Sequence, residues 1–480
     1  MNLSLTPQKY WLLKFVIWIS YFVYAIIALT TLENFELKTG VLLCGVLIEL
    51  SLIVFVNNWY RLKTPKLLDW FRLGTFLTLI LNFFSLAFFL DSEGSILVNN
   101  TKLVSSDNAL VLLFIVLIGL LGLKFGQLFI ESFPSKKKYS KEIFYKVKRL
   151  NLIYLLTISI SIIQVYLMLN GFIGYGSDKS HNISQYSFLL QAIQIMVPFF
   201  LVLLSVLKFF FKSSGVFFNS IFISFLLVQF IVGFLSGMKE NILTPIILIA
   251  VPYIFSGRKI PKVSFLIIIV GVFIIYPINN NYRDILNNSK LNKNQALNLA
   301  IVSTFNDSTT ELISSGSESY SNRLSLLPMA MYSVQIEQSW NEYKYLDRYL
   351  LIPIAWIIPR GLLPQKPASD TGSKLYKTIT GGTNNSVTPS TFGWAYLEGG
   401  YIPVFLTFLF LGLFVTMIQT HLNIHSIFGL IIYSLLLSEL LKIEADIYFR
   451  ISGMLQVLLI SYFLYKIFIT HHNSLQNLKT

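Results

Sequence analysis

Apolar residues along the chain are grouped into blocks of roughly 17–25 residues, the helix length that crosses a hydrocarbon core of about 30 Å. Short polar segments separate the blocks, and the eighth, ninth and eleventh blocks are the shortest. The blocks are Trp11–Thr31, Gly40–Val56, Trp70–Leu90, Ala109–Ile130, Leu152–Leu169, Phe188–Phe209, Val216–Leu235, Ile242–Phe255, Val263–Ile278, Tyr401–Thr420, Ile427–Leu441 and Ile451–Ile469. This pattern predicts an all-α polytopic membrane protein with about twelve transmembrane helices.

Composition strengthens that prediction. Of the 480 residues, 54% are apolar and 12% are charged, whereas a soluble domain carries about 25% charged residues. The net charge of +14 comes from residues between the apolar blocks and not from a basic arm, so no nucleic-acid partner is predicted. The one cysteine, Cys44, lies inside an apolar block, which excludes an intramolecular disulfide and a thiolate metal cluster.

The distribution of lysine and arginine predicts the orientation, because cytoplasmic loops of membrane proteins carry an excess of both. Alternate loops hold these residues at Arg61, Lys63 and Lys66; Lys136, Lys137, Lys138, Lys141, Lys146, Lys148 and Arg149; Lys208 and Lys212; and Arg258, Lys259 and Lys262. With twelve crossings these loops share one side, which we expect to be cytoplasmic together with both termini. The protein is thus predicted to be a multi-pass protein of the bacterial inner (plasma) membrane.

The same count of crossings divides the chain into three regions. Residues 1–278 form an N-terminal transmembrane bundle of about nine spans, and residues 401–480 form about three spans and a short cytoplasmic tail. Residues 279–400 form a large polar loop on the outer face. Within this loop, Ala296–Phe305 and Arg323–Val334 are predicted to be short helices.

One stretch of the outer loop is apolar but too short to span the membrane, namely Tyr349–Ile358. It is predicted to lie in the interface or to dip into the membrane and return. Arg360 and Lys366 follow on a segment stiffened by three prolines. Arginine binds phosphate through paired N–H donors, and lysine adds a point charge. The two cations therefore suit either a lipid-linked phosphate or diphosphate, or an anchor to anionic headgroups.

Three further cations are predicted near the outer surface. Lys239 lies in the turn Ser236–Asn241, Arg283 follows the ninth block, and Arg323 lies in the outer loop. Ionisable groups beside membrane spans often mark function, so all three are candidates for a cationic pocket. The alternatives are a solvated turn for Lys239 and local carboxylate partners for the two arginines.

Polar and aromatic residues near the end of the outer loop are candidates for glycan contacts. Ala368–Thr391 is rich in Ser, Thr, Gly and Asn and is predicted to be a loop. Its residues Asn384 and Ser386 offer hydrogen-bond partners for sugar hydroxyls. Trp394 and Tyr396 suit either stacking on sugar rings or the aromatic belt at the membrane interface.

Acidic residues at two outer turns have two interpretations each. Glu398 lies at the mouth of the tenth span, where it is a general base if desolvated or a counter-charge for a nearby arginine. The turn before the last span holds Glu444, Asp446 and Arg450. These three are interpreted first as a local ion-pair cluster, which could line the same cavity.

Four motifs occur in a familiar order between Gly233 and Gly412. They are Ser236-Gly237-Met238-Lys239-Glu240, Asn322-Arg323-Leu324-Ser325, Ile358-Pro359-Arg360 with Pro364 and Lys366-Pro367, and Phe392-Gly393-Trp394-Ala395-Tyr396-Leu397-Glu398-Gly399-Gly400-Tyr401. This combination resembles the Wzy-type polymerases of O-antigen and capsular repeat units, which are distantly similar to O-antigen ligases. Two positions depart from the family pattern. Lys239 stands where arginine is frequent, and Trp394 stands where an acid is frequent, so no general base can lie at that second position.

The resemblance implies a metal-independent membrane glycosyltransferase without a cofactor, with a membrane fold like that of glycosyltransferase C enzymes. Its donor and acceptor would be oligosaccharides linked to polyprenyl diphosphate, joined at the outer leaflet. Membrane lipids, a chain-length regulator and a flippase are the other implied partners. Catalysis would need positioning and cations that stabilise the leaving diphosphate. The candidate residues are Arg360 and Glu398 for catalysis; Lys239, Arg283, Arg323 and Lys366 for the diphosphate; and Asn384, Ser386, Trp394 and Tyr396 for the glycan.

Three alternatives remain open from the sequence. A ligase that moves finished glycan to another acceptor would share the site chemistry. A transporter or flippase of lipid-linked glycans predicts internal repeats and discontinuous helices at mid-membrane, and neither is evident in the sequence. A non-catalytic scaffold would tolerate neutral substitution of the candidate cations.

Overall fold

The computed structural model gives a helical bundle with two small β-ribbons. It describes residues 5–62, 64–93, 95–98, 102–133, 144–147, 149–169, 187–236, 239–258, 261, 277–279, 281–283, 285–286, 293–306, 326–340, 352, 371–382, 386–424 and 426–472. The helices of the first half are α1 Pro7–Thr31, α2 Phe35–Leu62, α3 Leu67–Glu93, α4 Ser106–Glu131, α5 Leu150–Leu169, α6 Ser187–Phe209, α7 Val216–Leu235 and α8 Lys239–Phe255. Those of the second half are α9 Lys293–Asn306, α10 Leu327–Ile336, α11 Thr371–Thr380, α12 Ser390–Leu397, α13 Tyr401–His421, α14 Ile427–Leu440 and α15 Ile447–Phe468.

Eight of the described helices are long and apolar enough to cross a membrane, namely α1, α2, α3, α4, α5, α7, α13 and α15. Shorter apolar stretches lie within α6, α8 and α14, at Ile193–Phe209, Asn241–Phe255 and Ile427–Leu440. These helices coincide with eleven of the predicted blocks. The prediction of an all-α, multi-pass membrane protein is therefore confirmed at the level of these helices. Of the ninth block, Val263–Ile278, only the last two residues fall in the described part of the chain.

Helix ends are fixed by caps and by contacts between neighbouring turns. Asn34 accepts the N–H of Leu37 and caps α2. The carboxylate of Asp91, at the end of α3, accepts the backbone N–H groups of Glu33 at 3.0 Å and Asn34 at 2.8 Å. Asn34 also donates to the Ser106 hydroxyl at the start of α4. These helix ends therefore meet at one end of the bundle, called here the Asp91 end, which the predicted orientation places outside.

The opposite end, called here the Glu131 end, is held by a polar network. Lys66 pairs with Glu131 at 2.5 Å. The side-chain oxygen of Gln419, near the end of α13, accepts the N–H of Leu67 at 2.9 Å. Tyr433 of α14 donates to the carbonyl of Pro65 at 3.0 Å. The end of α2, the start of α3, the ends of α4 and α13 and the first half of α14 thus lie together there.

Close packing of α4 against α13 depends on glycine. A Cβ at Gly122 would stand 2.6 Å from the carbonyl oxygen of Phe405, and a Cβ at Gly412 would stand 2.5 Å from that of Leu123. Small residues allow two membrane helices to approach backbone to backbone. Farther along, Gly126 faces Leu409 in the same way. Because Gly122 faces Phe405 and Gly126 faces Leu409, the two helices run parallel.

The described part of the predicted outer loop belongs mostly to the main hydrophobic core. Leu327–Trp340 and the buried residues Leu375, Ile379 and Phe392 join the same core cluster as the N-terminal helices. Ile352, the one described residue of the predicted dipping stretch, is buried in that cluster as well. Only the segment around Tyr282, Ala296 and Ala300 forms a small cluster of its own.

Several local predictions differ from the structure. Residues 371–380 and 390–391, predicted as loop, are helical, because Thr371, Leu375 and Ile379 form one buried face of α11 that outweighs local loop propensity. Within the chain's described part there are also two antiparallel ribbons, which the all-α prediction missed. The strands are β1 Ser95–Val98 with β2 Lys102–Ser105, and β3 Phe144–Val147 with β4 Ile469–His472. The predicted helices of the outer loop correspond to α9 and α10, the second starting four residues later than predicted.

Candidate functional site

Helix α13 begins well inside the bundle. The packing of Gly122 and Gly126 against Phe405 and Leu409 sets Tyr401 level with about Val116 of α4. Since α4 begins at Ser106, α13 starts about 15 Å below the Asp91 end of α4, at 1.5 Å per residue. The turn before α13 therefore does not reach the Asp91 end. It lies about 15 Å from it, in a recess between the longer helices.

Helix α12 lies in this recess. The ring of Phe392 stacks on Phe408 with centroids 4.3 Å apart. The same ring lies against Gly119, the midpoint of α4. With eight residues, α12 is about 12 Å long, which is too short to cross a membrane. Its first turn lies level with the middle of α4, a depth called mid-height below.

Helix α10 is a second short helix that starts at mid-height. The N–H of Leu326 donates to the carbonyl of Thr78 at 3.3 Å, in the π-helical turn Phe76–Ile80 near the middle of α3. From there α10 packs against α12 and α4 and reaches the β1–β2 ribbon at the Asp91 end. A Cβ at Gly393 would stand 2.7 Å from the Ser333 hydroxyl, so glycine is what allows the two helices to touch. We call α10 and α12 the re-entrant pair.

The beginning of α12 is held by the turn between α14 and α15. The backbone N–H of Thr391 donates to the carbonyl of Ile443 at 2.7 Å. The Thr391 hydroxyl lies 2.6 Å and 2.9 Å from the carbonyl oxygens of Ile443 and Ala445. Thr388 donates its hydroxyl hydrogen to the carbonyl of Glu444. We call these contacts the clasp.

A buried arginine completes the clasp. Arg450, in the first turns of α15, is 2% exposed, and its Nη2 donates to the Thr391 hydroxyl at 3.0 Å. Its guanidinium lies 5.3 Å from the ring centroid of Phe71. Asp446 caps α15 by accepting the N–H of Tyr448 at 3.0 Å. The local ion-pair cluster suggested by the sequence stays a prediction, and the structure adds a bond from Arg450 to Thr391 of α12.

The backbone at the clasp is strained. Ser390, the first residue of α12, has φ +70° and is fully buried. The left-handed conformation costs a residue with a Cβ roughly 1–2 kcal/mol. Such strain persists only where the surroundings over-determine it, and it is common at functional sites. Here the bonds of Thr388 and Thr391 fix the chain on both sides of Ser390.

Glu398 is at the other end of α12. The residue is 1% exposed, so its side chain is removed from bulk solvent. Gly399 and Gly400 follow with φ +129° and +85°, conformations that glycine adopts without strain. The N–H of Gly400 donates to the carbonyl of Tyr396 at 2.8 Å, which ends the helix.

The two aromatic candidates of α12 occupy different surroundings. Trp394 is 5% exposed, donates from Nε1 to the Thr388 hydroxyl at 3.2 Å, and lies 6.3 Å from Trp340. It therefore packs within the re-entrant pair. Tyr396 is half-buried and packs edge-on to Tyr401. Burial, reinforced by Tyr401 and Glu337, raises the pKa of Tyr396 to about 12.

Two segments that carry predicted cations lie side by side at the end of α7. Tyr282 donates its hydroxyl to the carbonyl of Leu235 at 3.2 Å, which brings the neighbouring, half-buried Arg283 beside the α7–α8 turn. Lys239 is the first residue of α8 in that turn. Asn279 is fully buried nearby in sequence, and its amide has no hydrogen-bond partner in the described part of the chain. The structure thus places the segments carrying Lys239 and Arg283 beside the same end of α7.

Of the remaining predicted site residues, the structure describes Ser386 and not the other four. Ser386 is exposed, and Val387 beside it donates to the carbonyl of Gly372 in α11. Arg323, Arg360, Lys366 and Asn384 lie outside the described residues. Among the residues that the structure describes, no group of three or more His, Cys, Asp or Glu side chains could hold a metal ion.

Comparison with known proteins assigns a family but no activity. A family model described as a domain of unknown function, DUF8712, matches residues 75–442, about three quarters of the chain. The chain belongs to the DUF8712 family. No curated protein and no solved structure matches it. The DUF8712 region contains the re-entrant pair and Glu398, and it ends at Lys442, just before the carbonyls of the clasp.

Sequence reasoning about this DUF8712 protein missed the clasp. Arg450 carried one usable signal, because an arginine beside an apolar span is uncommon without a function. Thr388 and Thr391 carried none, since threonines in a polar run are ordinary loop residues. Their partners Ile443, Glu444 and Ala445 act through backbone carbonyls, which the residue types do not reveal.

Proposed function

We propose that this protein is a membrane glycosyltransferase that polymerises oligosaccharide repeat units carried on polyprenyl diphosphate, at the outer face of a bacterial inner membrane. One observation carries the proposal. One of the four motifs that resemble the Wzy-type polymerases, Phe392–Tyr401, begins with the buried helix α12 and contains Glu398, which is 1% exposed. Surface aromatics and a solvated acid would instead favour a simple connecting loop.

The chemistry needs few groups, because the donor already carries its leaving group. Glu398 would accept the proton of the attacking sugar hydroxyl, and cations would stabilise the negative charge of the departing diphosphate. The segments carrying Lys239 and Arg283, which lie beside the same end of α7, support such a cationic region. Arg323, Arg360 and Lys366 stay predictions for the same role, as do Asn384 and Ser386 for the glycan. No metal or cofactor is required by this scheme.

Helix directions support the proposed twelve crossings. Helices α4 and α13 run parallel, and α5, α6, α7 and α8 lie between them in sequence. If α5, α6, α7 and α8 each cross, the chain returns to the Glu131 end after α8. Because α13 starts from the Asp91 side, the proposal then needs an odd number of crossings between Phe255 and Tyr401. One crossing there gives twelve and leaves both termini on the Glu131 side, which we propose to be cytoplasmic.

A second candidate function is favoured by one observation. Short helices that end at mid-height are common in transporters, where they build substrate sites near the bilayer midplane. The re-entrant pair fits this description, although the sequence did not suggest discontinuous helices. A transporter or flippase of lipid-linked glycans is therefore the alternative. A ligase would share the chemistry of the polymerase and differ only in its acceptor.

Gene deletion followed by glycan sizing separates these functions. Loss of a polymerase leaves single repeat units on the carrier in the outer leaflet, loss of a ligase leaves long chains on the carrier, and loss of a flippase leaves single units in the inner leaflet. Complementation with Glu398→Gln should leave single units, whereas Glu93→Gln, a matched change of an exposed acid at the Asp91 end, should restore long chains. Long chains with Glu398→Gln would reject Glu398 as the base.

A further inference from the structure

Arg450 lies where a charge is expensive. It is 2% exposed on a helix whose other buried residues are mostly apolar. Removing an ion from water costs several kcal/mol even after relaxation, and hydrophobic packing of the same volume often serves stability as well or better. Stability alone therefore does not account for an arginine at this place, and the residue that its Nη2 contacts, Thr391, indicates what it does.

We propose that Arg450 is a positioning residue that acts through Thr391 to hold helix α12 in the orientation in which Glu398 works. The role of Glu398 rests on the proposed function, whereas the mechanical link between Arg450 and α12 does not. Residues 391 and 398 are joined by a single helix, so they are about 10 Å apart along a stiff rod. A rotation at one end is transmitted to the other.

Hydrogen-bond roles at Thr391 show why the arginine matters. A threonine hydroxyl has one hydrogen and accepts on its oxygen. Arg450 donates to that oxygen, so the hydroxyl hydrogen is directed to the carbonyl of Ile443 or Ala445. Without Arg450, the hydroxyl keeps the carbonyls but loses its charge-assisted bond, which is the stronger kind. The start of α12 then keeps its bonds to the turn but loses its side-chain hydrogen bond to α15.

The two ends of α12 differ in stiffness, which gives this attachment its effect. At the Glu398 end, Gly399 and Gly400 form a turn in which the backbone rotates easily. At the other end, Ser390 is held at φ +70° between the bonds of Thr388 and Thr391, and Arg450 fixes the Thr391 hydroxyl that makes one of them. Loss of the Arg450 contact should therefore weaken that restraint, allow α12 to pivot on the glycine turn and displace Glu398.

The first test measures displacement without relying on any activity. In a protein with Cys44→Ala, a cysteine is placed by Glu398→Cys and labelled with a small methanethiosulfonate reagent. Because position 398 is 1% exposed, labelling should be slow. Adding Arg450→Met should raise the labelling rate about tenfold or more, and Arg450→Lys, which keeps a charge and a donor, should raise it less. A cysteine placed by Ala109→Cys, at a buried position of α4, should stay unreactive in all three proteins, which excludes general unfolding. An unchanged rate at position 398 would overturn the proposal, and so would labelling that rises equally at both positions.

The second test connects the displacement to the transfer of lipid-linked oligosaccharide in proteoliposomes. Arg450→Met should lower kcat about tenfold or more while KM stays nearly constant, since a misplaced base affects the chemical step. Adding Thr391→Val to Arg450→Met should lower kcat no further. In a Glu398→Gln protein, adding Arg450→Met should likewise leave kcat unchanged. Equal factors of loss in the wild-type and Glu398→Gln backgrounds would show that Arg450 does not act through Glu398. Failure of the unmodified protein to transfer glycan would reject the proposed function, and the labelling result would still decide the mechanical link.

Discussion

The buried ion pair at the Glu131 end allows a quantitative prediction. Asp69 and Arg72 are 0% and 2% exposed, and Arg72 Nη1 donates to Asp69 Oδ1 at 2.9 Å. The carboxylate also accepts from Asn58 at 2.9 Å and from the backbone N–H of Lys66 at 2.8 Å. Arg72 Nη2 donates in addition to Gln127 at 2.6 Å. The pair is thus fully satisfied and joins α2, α3 and α4.

Replacing one partner should cost much more than replacing both. Arg72→Met leaves a buried carboxylate with neutral donors only, and breaking a buried pair in this way costs about 3–5 kcal/mol. Adding Asp69→Asn removes the unpaired charge and keeps an acceptor for Asn58. The double variant should therefore lie within about 1–2 kcal/mol of the parent, which is the usual cost of an imperfect hydrogen bond.

Equilibrium or thermal unfolding of the purified protein in detergent measures these differences. Recovery of at least about 2 kcal/mol on adding Asp69→Asn to Arg72→Met corresponds to roughly 30-fold in the unfolding equilibrium. As a control, Lys442→Met removes a half-exposed partner of Glu439 and should cost at most about 1 kcal/mol. The reasoning fails if Arg72→Met is as stable as the parent, or if the double variant is less stable than Arg72→Met alone.

Three further predictions concern packing, strain and ionisation. Gly412→Ala should destabilise the protein by about 1–3 kcal/mol, because its Cβ would overlap the backbone of α4, whereas Gly215→Ala, in open space, should be neutral in the same melting assay. Ser390→Val should lower stability by about 1–2 kcal/mol relative to Ser390→Gly, since a β-branched residue tolerates φ +70° poorly; equal melting points would argue against strain there. Tyr396 has its pKa raised to about 12 by burial, so the folded state retains this proton better than the unfolded state does. Its contribution to stability is present below about pH 10 and is lost as the pH rises through 12; melting curves should show that Tyr396→Phe weakens the decline over this range, and an unchanged decline would contradict the assignment.

Span positions were accessible from the sequence because each span is set locally. The block Val216–Leu235 coincides with α7, and Ile427–Leu441 differs from α14 by one residue. A helix in lipid satisfies its backbone within itself, so an apolar run of sufficient length defines it without knowledge of its neighbours. Burial of Cys44 followed in the same way.

Depth within the bundle was not accessible from the sequence. The segment Phe392–Leu397 is too short to be recognised as a membrane element, and its aromatic residues also suited an interfacial belt. Its position depends on how far α13 is displaced along α4, which the contacts of Gly122, Gly126 and Gly412 set. Those contacts join residues nearly 300 positions apart, so local patterns carry no information about them.

The sequence by itself determined that this chain is a multi-pass helical membrane protein and which segments form its long helices, because hydrophobic length is a local quantity. Only the tertiary structure decided that α10 and α12 enter the bundle to mid-height, that Glu398 is desolvated there, and that Arg450 turns inward to Thr391. Those features arise from backbone carbonyls and helix offsets, which depend on the whole packing arrangement and not on the type of any single residue.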